Sequence, residues 1–173
     1  MLKIEGNAKI NLTLDILGKR PDGYHEVSML MQSIALHDTL TLEKMREGID
    51  LSISVPWMKA DESNLAWKAA ALIQERCGLG GGVSIRLAKR IPVAAGLAGG
   101  SADAAAVLRG IDRLYGLGLS DEELCSLGAE LGSDIPFCLM GGTQLSTGRG
   151  EVLRRLKGMP TAWVVLAKPR VSV

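Results

Sequence analysis

Residues 92 to 106 read Pro-Val-Ala-Ala-Gly-Leu-Ala-Gly-Gly-Ser-Ala-Asp-Ala-Ala-Ala, a stretch that few folds can use. Gly96, Gly99 and Gly100 permit positive φ and close backbone approach, so successive N–H groups can turn toward an anion with no Cβ in the way. Ser101 is the expected N-cap of the helix that follows. Beyond it Ala104, Val107, Leu108, Ile111, Leu114 and Tyr115 recur at three- and four-residue steps, which predicts an amphipathic helix of about four turns. The positive end of that helix would face whatever the loop holds. The stretch lacks the Lys-Ser/Thr ending of a Walker A loop and does not fit Gly-x-Gly-x-x-Gly. A Gly/Ala turn that only packs a small-faced helix closely against a sheet is the competing reading.

The flanking segments supply the order strand, loop, helix. Val83, Ile85 and Leu87 alternate with Ser84, Arg86 and Ala88, which predicts a strand that delivers the chain into the loop. Upstream, Ile10, Leu12, Leu14 and Ile16 alternate with Asn11, Thr13 and Asp15, the pattern of a half-buried strand. Arg20-Pro21-Asp22-Gly23 is a turn signal. Val27 to Leu36, Asp38 to Met45 and Ile49 to Val55 read as three further strands, giving an antiparallel meander. Asp61 to Asn64 offer caps for a helix from Leu65 through Ile73, closed at Cys77-Gly78. Ser120 with Glu123 is a capping box for a helix to about Leu131, broken by Gly132-Ser133-Asp134-Ile135-Pro136. Phe137 to Met140 is a short apolar segment. Alternation near Thr143 to Ser146, Val152 to Leu156 and Trp163 to Ala167 predicts closing strands.

Composition narrows the class. With 47% hydrophobic residues the 173-residue chain can bury a substantial core. Twenty basic against nineteen acidic residues leave a net charge of +1, so no general attraction to nucleic acid or membrane is expected. Cys77, Cys125 and Cys138 lie far apart with no Cys-x-x-Cys spacing and two histidines in the chain, which supports neither a disulfide framework nor a zinc site. They read as buried thiols of a reducing compartment. No run approaches the apolar length of a membrane span, and the start lacks a signal-peptide pattern, so a cytoplasmic setting is expected.

Pro-x-x-x-Gly-Leu-x-Gly-Gly-Ser followed by Ala and Asp resembles the ATP-binding motif of the galactokinase, homoserine kinase, mevalonate kinase and phosphomevalonate kinase (GHMP) superfamily. Ala8-Lys9-Ile10-Asn11-Leu12-Thr13-Leu14 with Gly18-Lys19-Arg20-Pro21-Asp22-Gly23-Tyr24-His25, and Leu131-Gly132-Ser133-Asp134-Ile135-Pro136-Phe137, are similar to the branch that phosphorylates 4-diphosphocytidyl-2-C-methyl-D-erythritol in the non-mevalonate route to isoprenoids. The resemblance covers essentially all 173 residues. It implies an α+β fold, a mostly antiparallel sheet with helices on one side, related to a ribosomal protein S5 domain 2-like unit. It assigns residues 1 to 173 to an ATP-binding N-terminal domain and implies a second domain of roughly a hundred further residues with a third glycine motif. The 173 residues alone are then expected to hold an open site, weakly active or inactive, with an apolar face prone to self-association.

The same resemblance implies roles. Asp134 matches the catalytic aspartate and Lys9 its partner. An ammonium beside that carboxylate would favour the ionised form, ready to accept a hydrogen bond from an alcohol, and would also stabilise charge on the phosphoryl oxygens. Pro92, Val93, Ala94, Ala95, Gly96, Leu97, Ala98, Gly99, Gly100, Ser101 and Ala102 match the ATP cradle. Lys89 and Asn64-Leu65 match positions that line the adenine side. Tyr24 and His25 match the pair that recognises cytidine, with Asn11 and Lys9 also facing the substrate. Ser101 could offer its hydroxyl to a phosphate or to Mg²⁺. A first-turn carboxylate beside a triphosphate is repelled by it, so Asp103 is left without a role. Without the family match, a helix-terminal aspartate, a solvated lysine and a turn-packing tyrosine remain the ordinary readings. A mevalonate- or homoserine-type kinase is one rival, opposed by Tyr24-His25, since those substrates carry no base. A non-catalytic anion- or RNA-binding module is another, opposed by the near-neutral charge.

Overall fold

A computed structural model describes residues 1–21 and 23–168. Asp22, in the expected turn at 20–23, lies outside the described residues. Among them six strands form one sheet, with four helices, in the order β1 (Leu2–Lys19), β2 (His25–Met45), β3 (Ile49–Ile53), α1 (Leu65–Arg76), β4 (Gly82–Ala88), α2 (Gly99–Tyr115), α3 (Asp121–Leu131), α4 (Ile135–Met140), β5 (Thr143–Thr147) and β6 (Val152–Arg155). This is the expected α+β class.

The long β2 strand organises the sheet. It pairs antiparallel with β1 along nearly its whole length, with β5 through Met29 to Gln32, and with β4 through Thr39 to Met45. The expected break near His37 does not occur, because the two segments read as separate strands run on as one. A register shift between Asn7 and Lys9 bends the pairing instead. A second difference concerns β3, which pairs parallel to β4. Helix α1 makes the crossover that a parallel pair requires, so the sheet is mixed and the meander is interrupted there.

The core lies between the inward face of this sheet and the helices. Leu40 and Leu42 of β2, Leu51 of β3, and Val83, Ile85 and Leu87 of β4 meet Ala66, Ala69, Ala70 and Ile73 of α1 and Ala104 to Leu108 with Ile111 of α2. Small residues bring α2 close. A Cβ on Gly110 would lie 2.9 Å from Leu42 Cδ2, and one on Gly6 would lie 2.7 Å from the Ala102 carbonyl oxygen. Helix ends follow the sequence signals at α1, where Asn64 Oδ1 accepts from the Ala66 amide, and at α3, where Ser120 and Glu123 form the reciprocal box. Phe137 to Met140 belongs to α4, which places Pro136 in its first turn.

Two expectations fail at the edges. Leu12, Leu14 and Ile16 are 38%, 51% and 64% exposed, so the alternation of the distal β1–β2 hairpin is real but no described residue covers that face. Trp163 to Ala167 forms no strand, and Trp163 is fully exposed. A strand exists only through partners, which this segment lacks among the described residues. No helix of the described residues is long and apolar enough to cross a membrane.

Candidate active site

The glycine loop links β4 to α2, and its backbone departs from expectation in an informative way. Positive φ falls on Ala94 (50°), Gly96 (69°) and Ala98 (56°). Gly99 and Gly100 are already helical, and Ala98, not Ser101, occupies the N-cap position without a side-chain hydrogen bond. Ser101 therefore stands in the first turn with its hydroxyl uncommitted to capping. Two alanines held in the left-handed region store strain of the kind that collects where ligands bind. The need for glycine at 99 is one of space. A Cβ there would approach Ile91 Cγ2 to 3.1 Å and Lys89 Nζ to 3.3 Å.

Strand β1 flanks the loop. The Lys9 amide donates to the Leu97 carbonyl at 3.1 Å, and Leu97 packs with Ala8, Ile91 and Ala102 in a small separate core. This anchoring sets the Lys9 side chain beside α4. Its Nζ lies 3.6 Å from Asp134 Oδ2 and donates to Asn11 Oδ1 at 3.1 Å. Asp134 stands at the N-cap position of α4 but makes no side-chain cap bond. A helix-terminal aspartate satisfying backbone donors is thus not what this residue is. Lys9 is 6% exposed and the Asp134 side chain 34%, so the carboxylate is the member of the pair open to a ligand.

Leu65 also reaches the loop, its Cδ1 lying 3.4 Å from where a Gly100 Cβ would be. Asn64 beside it uses its side chain locally, accepting from Ala66 and donating to the Lys59 carbonyl. Lys89 is different. Its side chain is 3% exposed, and its ammonium donates to Asp38 Oδ2 at 2.5 Å and Asp103 Oδ2 at 2.6 Å. It faces inward beneath the loop, with its ammonium committed to these two buried carboxylates. Asp38 had no place in the sequence reading. The available signal was its parity with Leu40 and Leu42, which puts a carboxylate on the inward face of β2. Burial above all pushes the Asp103 carboxyl up to about 7; the Lys89 ammonium opposes this and the Asp38 carboxylate adds to it. Among the described residues no group of three or more His, Cys, Asp or Glu side chains could hold a metal unaided.

Tyr24 and His25 are not gathered to this centre. They sit at the tip of the β1–β2 hairpin, both exposed, with the Arg149 guanidinium 5.0 Å from the Tyr24 ring centroid. His25 is eight positions along β2 from Ser33, the residue paired with Lys9, a path of at most roughly 26 Å at 3.3 Å per residue. Pro92, Val93 and Ala95 complete the rim of the loop, with Pro92 and Val93 exposed.

The family model of the GHMP kinase N-terminal domain matches residues 64–142, a span that holds α1, the glycine loop, α2 and Asp134. Curated proteins described as 4-diphosphocytidyl-2-C-methyl-D-erythritol kinase are 51% identical over 99% of this chain in Acetivibrio thermocellus, 52% over 99% in Bacillus cereus (strain B4264) and 53% over 98% in Exiguobacterium sibiricum. The chain spans about 60% of the length of these relatives. Among solved structures, a 4-(cytidine 5'-diphospho)-2C-methyl-D-erythritol kinase superposes with a TM-score of 0.79 at 40% identity, covering 90% of this chain and 55% of its own. A mevalonate kinase superposes with a TM-score of 0.71 at 17% identity, covering 91% of this chain and 57% of its own, a likeness of fold.

Proposed function

From the GHMP kinase family, to which this chain belongs through the N-terminal domain, we propose that it serves an ATP-dependent kinase acting on 4-diphosphocytidyl-2-C-methyl-D-erythritol. The observation that carries this reading is the Lys9–Asp134 pair, set beside the glycine loop by the bond from the Lys9 amide to Leu97. Residues 92 to 102 would hold the triphosphate at the start of α2, with Leu65 and Asn64 toward the adenine. Asp134 would accept the hydrogen bond of the substrate's 2-hydroxyl and take its proton as that oxygen bonds to the γ-phosphorus and ADP leaves. Lys9 would offset charge on the transferring oxygens and hold Asn11 toward the substrate.

Mg²⁺ fits this chain only as an ion carried largely by phosphate oxygens. The described residues offer it no three-ligand group, and the Ser101 hydroxyl, free of capping, is the side chain suited to complete its shell. When bound it would neutralise the charge that builds between the β- and γ-phosphates.

The hairpin tip supplies the specificity half of the reading. A substrate with a nucleoside at one end and the accepting alcohol at the other is itself elongated, which suits a recognition pair at Tyr24-His25 and chemistry at Asp134. This favours the cytidine-bearing substrate over mevalonate or homoserine. The setting we propose is cytoplasmic, with a small-molecule partner and no nucleic acid.

The test is a phosphoryl-transfer assay with ATP and Mg²⁺ offering the diphosphocytidyl substrate, mevalonate and homoserine in parallel. It is run on residues 1–173 and on a polypeptide of the relatives' length, since we expect turnover to need both walls of a cleft. Transfer to the cytidine-bearing alcohol alone is the expected result. Transfer to either small alcohol, or tighter binding of RNA than of ATP, would replace this reading.

A further inference from the structure

The groups beneath the glycine loop have no part in the chemistry above. One ammonium, on Lys89, is shared between two carboxylates from separate elements: Asp38 in β2 and Asp103 in α2, just past its first turn. The Lys89 and Asp103 side chains are 3% exposed and that of Asp38 is 0%. Lys89 precedes the loop and Asp103 follows it, so a single charged group ties together the two ends of the segment from 90 to 102. Asp38 adds a second tie, because its Oδ1 accepts from the amides of Arg90 at 2.5 Å and Ile91 at 2.9 Å. The ammonium also lies against the loop's own backbone, 3.3 Å from where a Gly99 Cβ would be.

Burying three ionisable groups is expensive, and a core of apolar residues of similar shape is often at least as stable. Mere stability is therefore a weak reason for such a cluster. Geometry is a better one, since charge-assisted bonds of this length fix direction as well as distance. The loop needs fixing, with two alanines in the left-handed region and its Pro92–Ala94 rim exposed.

We propose that Lys89 is a positioning residue, an internal latch that closes the glycine loop by holding Asp38 and Asp103 together, and that its ammonium makes no contact with nucleotide. The assignment rests on the reading of the loop as a triphosphate cradle for its effect on binding, but its effect on the loop stands apart from that reading. Releasing the latch parts the two loop ends from each other while Asp38 still holds the amides of Arg90 and Ile91, so the amides of 93 to 101 no longer converge on one anion. A lysine that contacts the adenine would leave the loop unchanged when removed and would weaken ATP more than tripolyphosphate.

The experiment compares the protein with Lys89→Met and with the double variant Lys89→Met/Asp103→Asn, which removes the buried like-charge pair and keeps the shapes. The second decides the matter where the first fails to fold. Amide hydrogen exchange without ligand is read at residues 93 to 101 against α1 and β4, and binding is read with ATP and with inorganic tripolyphosphate. A latch predicts exchange at least tenfold faster in the loop with α1 and β4 still protected, and equal weakening of ATP and tripolyphosphate by tenfold or more. In a polypeptide of the relatives' length, where turnover is expected, it also predicts that KM for ATP rises more than kcat falls. Unchanged loop exchange, or loss of ATP binding with tripolyphosphate binding intact, overturns the proposal. If the unaltered protein binds neither ATP nor tripolyphosphate, the cradle reading fails while the exchange data still decide the latch.

Discussion

The Lys9 ammonium and the Asp134 carboxylate, one from the first strand and one from the start of the last helix, lie 3.6 Å apart beside the glycine loop. Neither side chain is committed elsewhere in a way that would explain it structurally, since Asp134 makes no cap bond and, among the described residues, the Lys9 ammonium bonds besides only to Asn11. Asp134→Asn in the active enzyme is expected to lower kcat by roughly 10² or more with substrate affinity within a few-fold, as for a lost proton acceptor. Lys9→Ala should impair both. Steady-state kinetics checks this, and near-normal turnover in Asp134→Asn would remove the aspartate from the chemistry.

Gly99→Val should abolish ATP binding in a folded protein. The Cβ it introduces meets Ile91 and the Lys89 ammonium at little more than 3 Å, and neither can retreat from its buried position. The loop must shift instead. Isothermal titration with ATP, beside circular dichroism to verify the fold, reads the outcome, and retained affinity would show that the loop tolerates displacement.

Gly6→Ala tests the contact between β1 and α2. The added methyl would lie 2.7 Å from the Ala102 carbonyl oxygen, a backbone atom that cannot turn aside. Overpacking of this kind destabilises by about 1–3 kcal/mol. Chemical denaturation should show the loss, and an unchanged midpoint would mean that the strand can lift from the helix freely.

Tyr24→Ala and His25→Ala should weaken the cytidine-bearing substrate much more than ATP. Stacking contributes roughly 1–3 kcal/mol per base, so a drop of about ten- to a hundred-fold is expected. Binding assays with both ligands separate this from a structural role, in which the two would weaken together.

Cys138 should be an inert thiol. Burial, with the Asp134 carboxylate next in effect, pushes its pKa up to about 12. Raised by about three units above a free thiol, it holds on the order of 10³ less thiolate at pH 8. Alkylation of the native protein at that pH should spare Cys138 and label it after unfolding. Rapid native labelling would show that the thiol is reached by solvent.

The reach of the sequence can be judged from particular residues. The helix caps at Asn64 and Ser120, the strand into the loop and the strand–loop–helix order were legible, because each depends on a few neighbouring residues and on local hydrogen bonds. The loop and the Lys9 and Asp134 motifs were legible as motifs. Their approach to 3.6 Å was not, because it depends on β1 lying against Leu97 and α4 ending the bundle beside it. The continuity of β2 through His37 and the parallel pairing of β3 were settled by neighbouring strands, and strand pairing is a property of partners. Lys89 shows the division most clearly. Local sequence fixed its place before the glycine loop, while only the packing of β2 and α2 placed two carboxylates where its ammonium turns inward, a buried charge going where its counter-charges are.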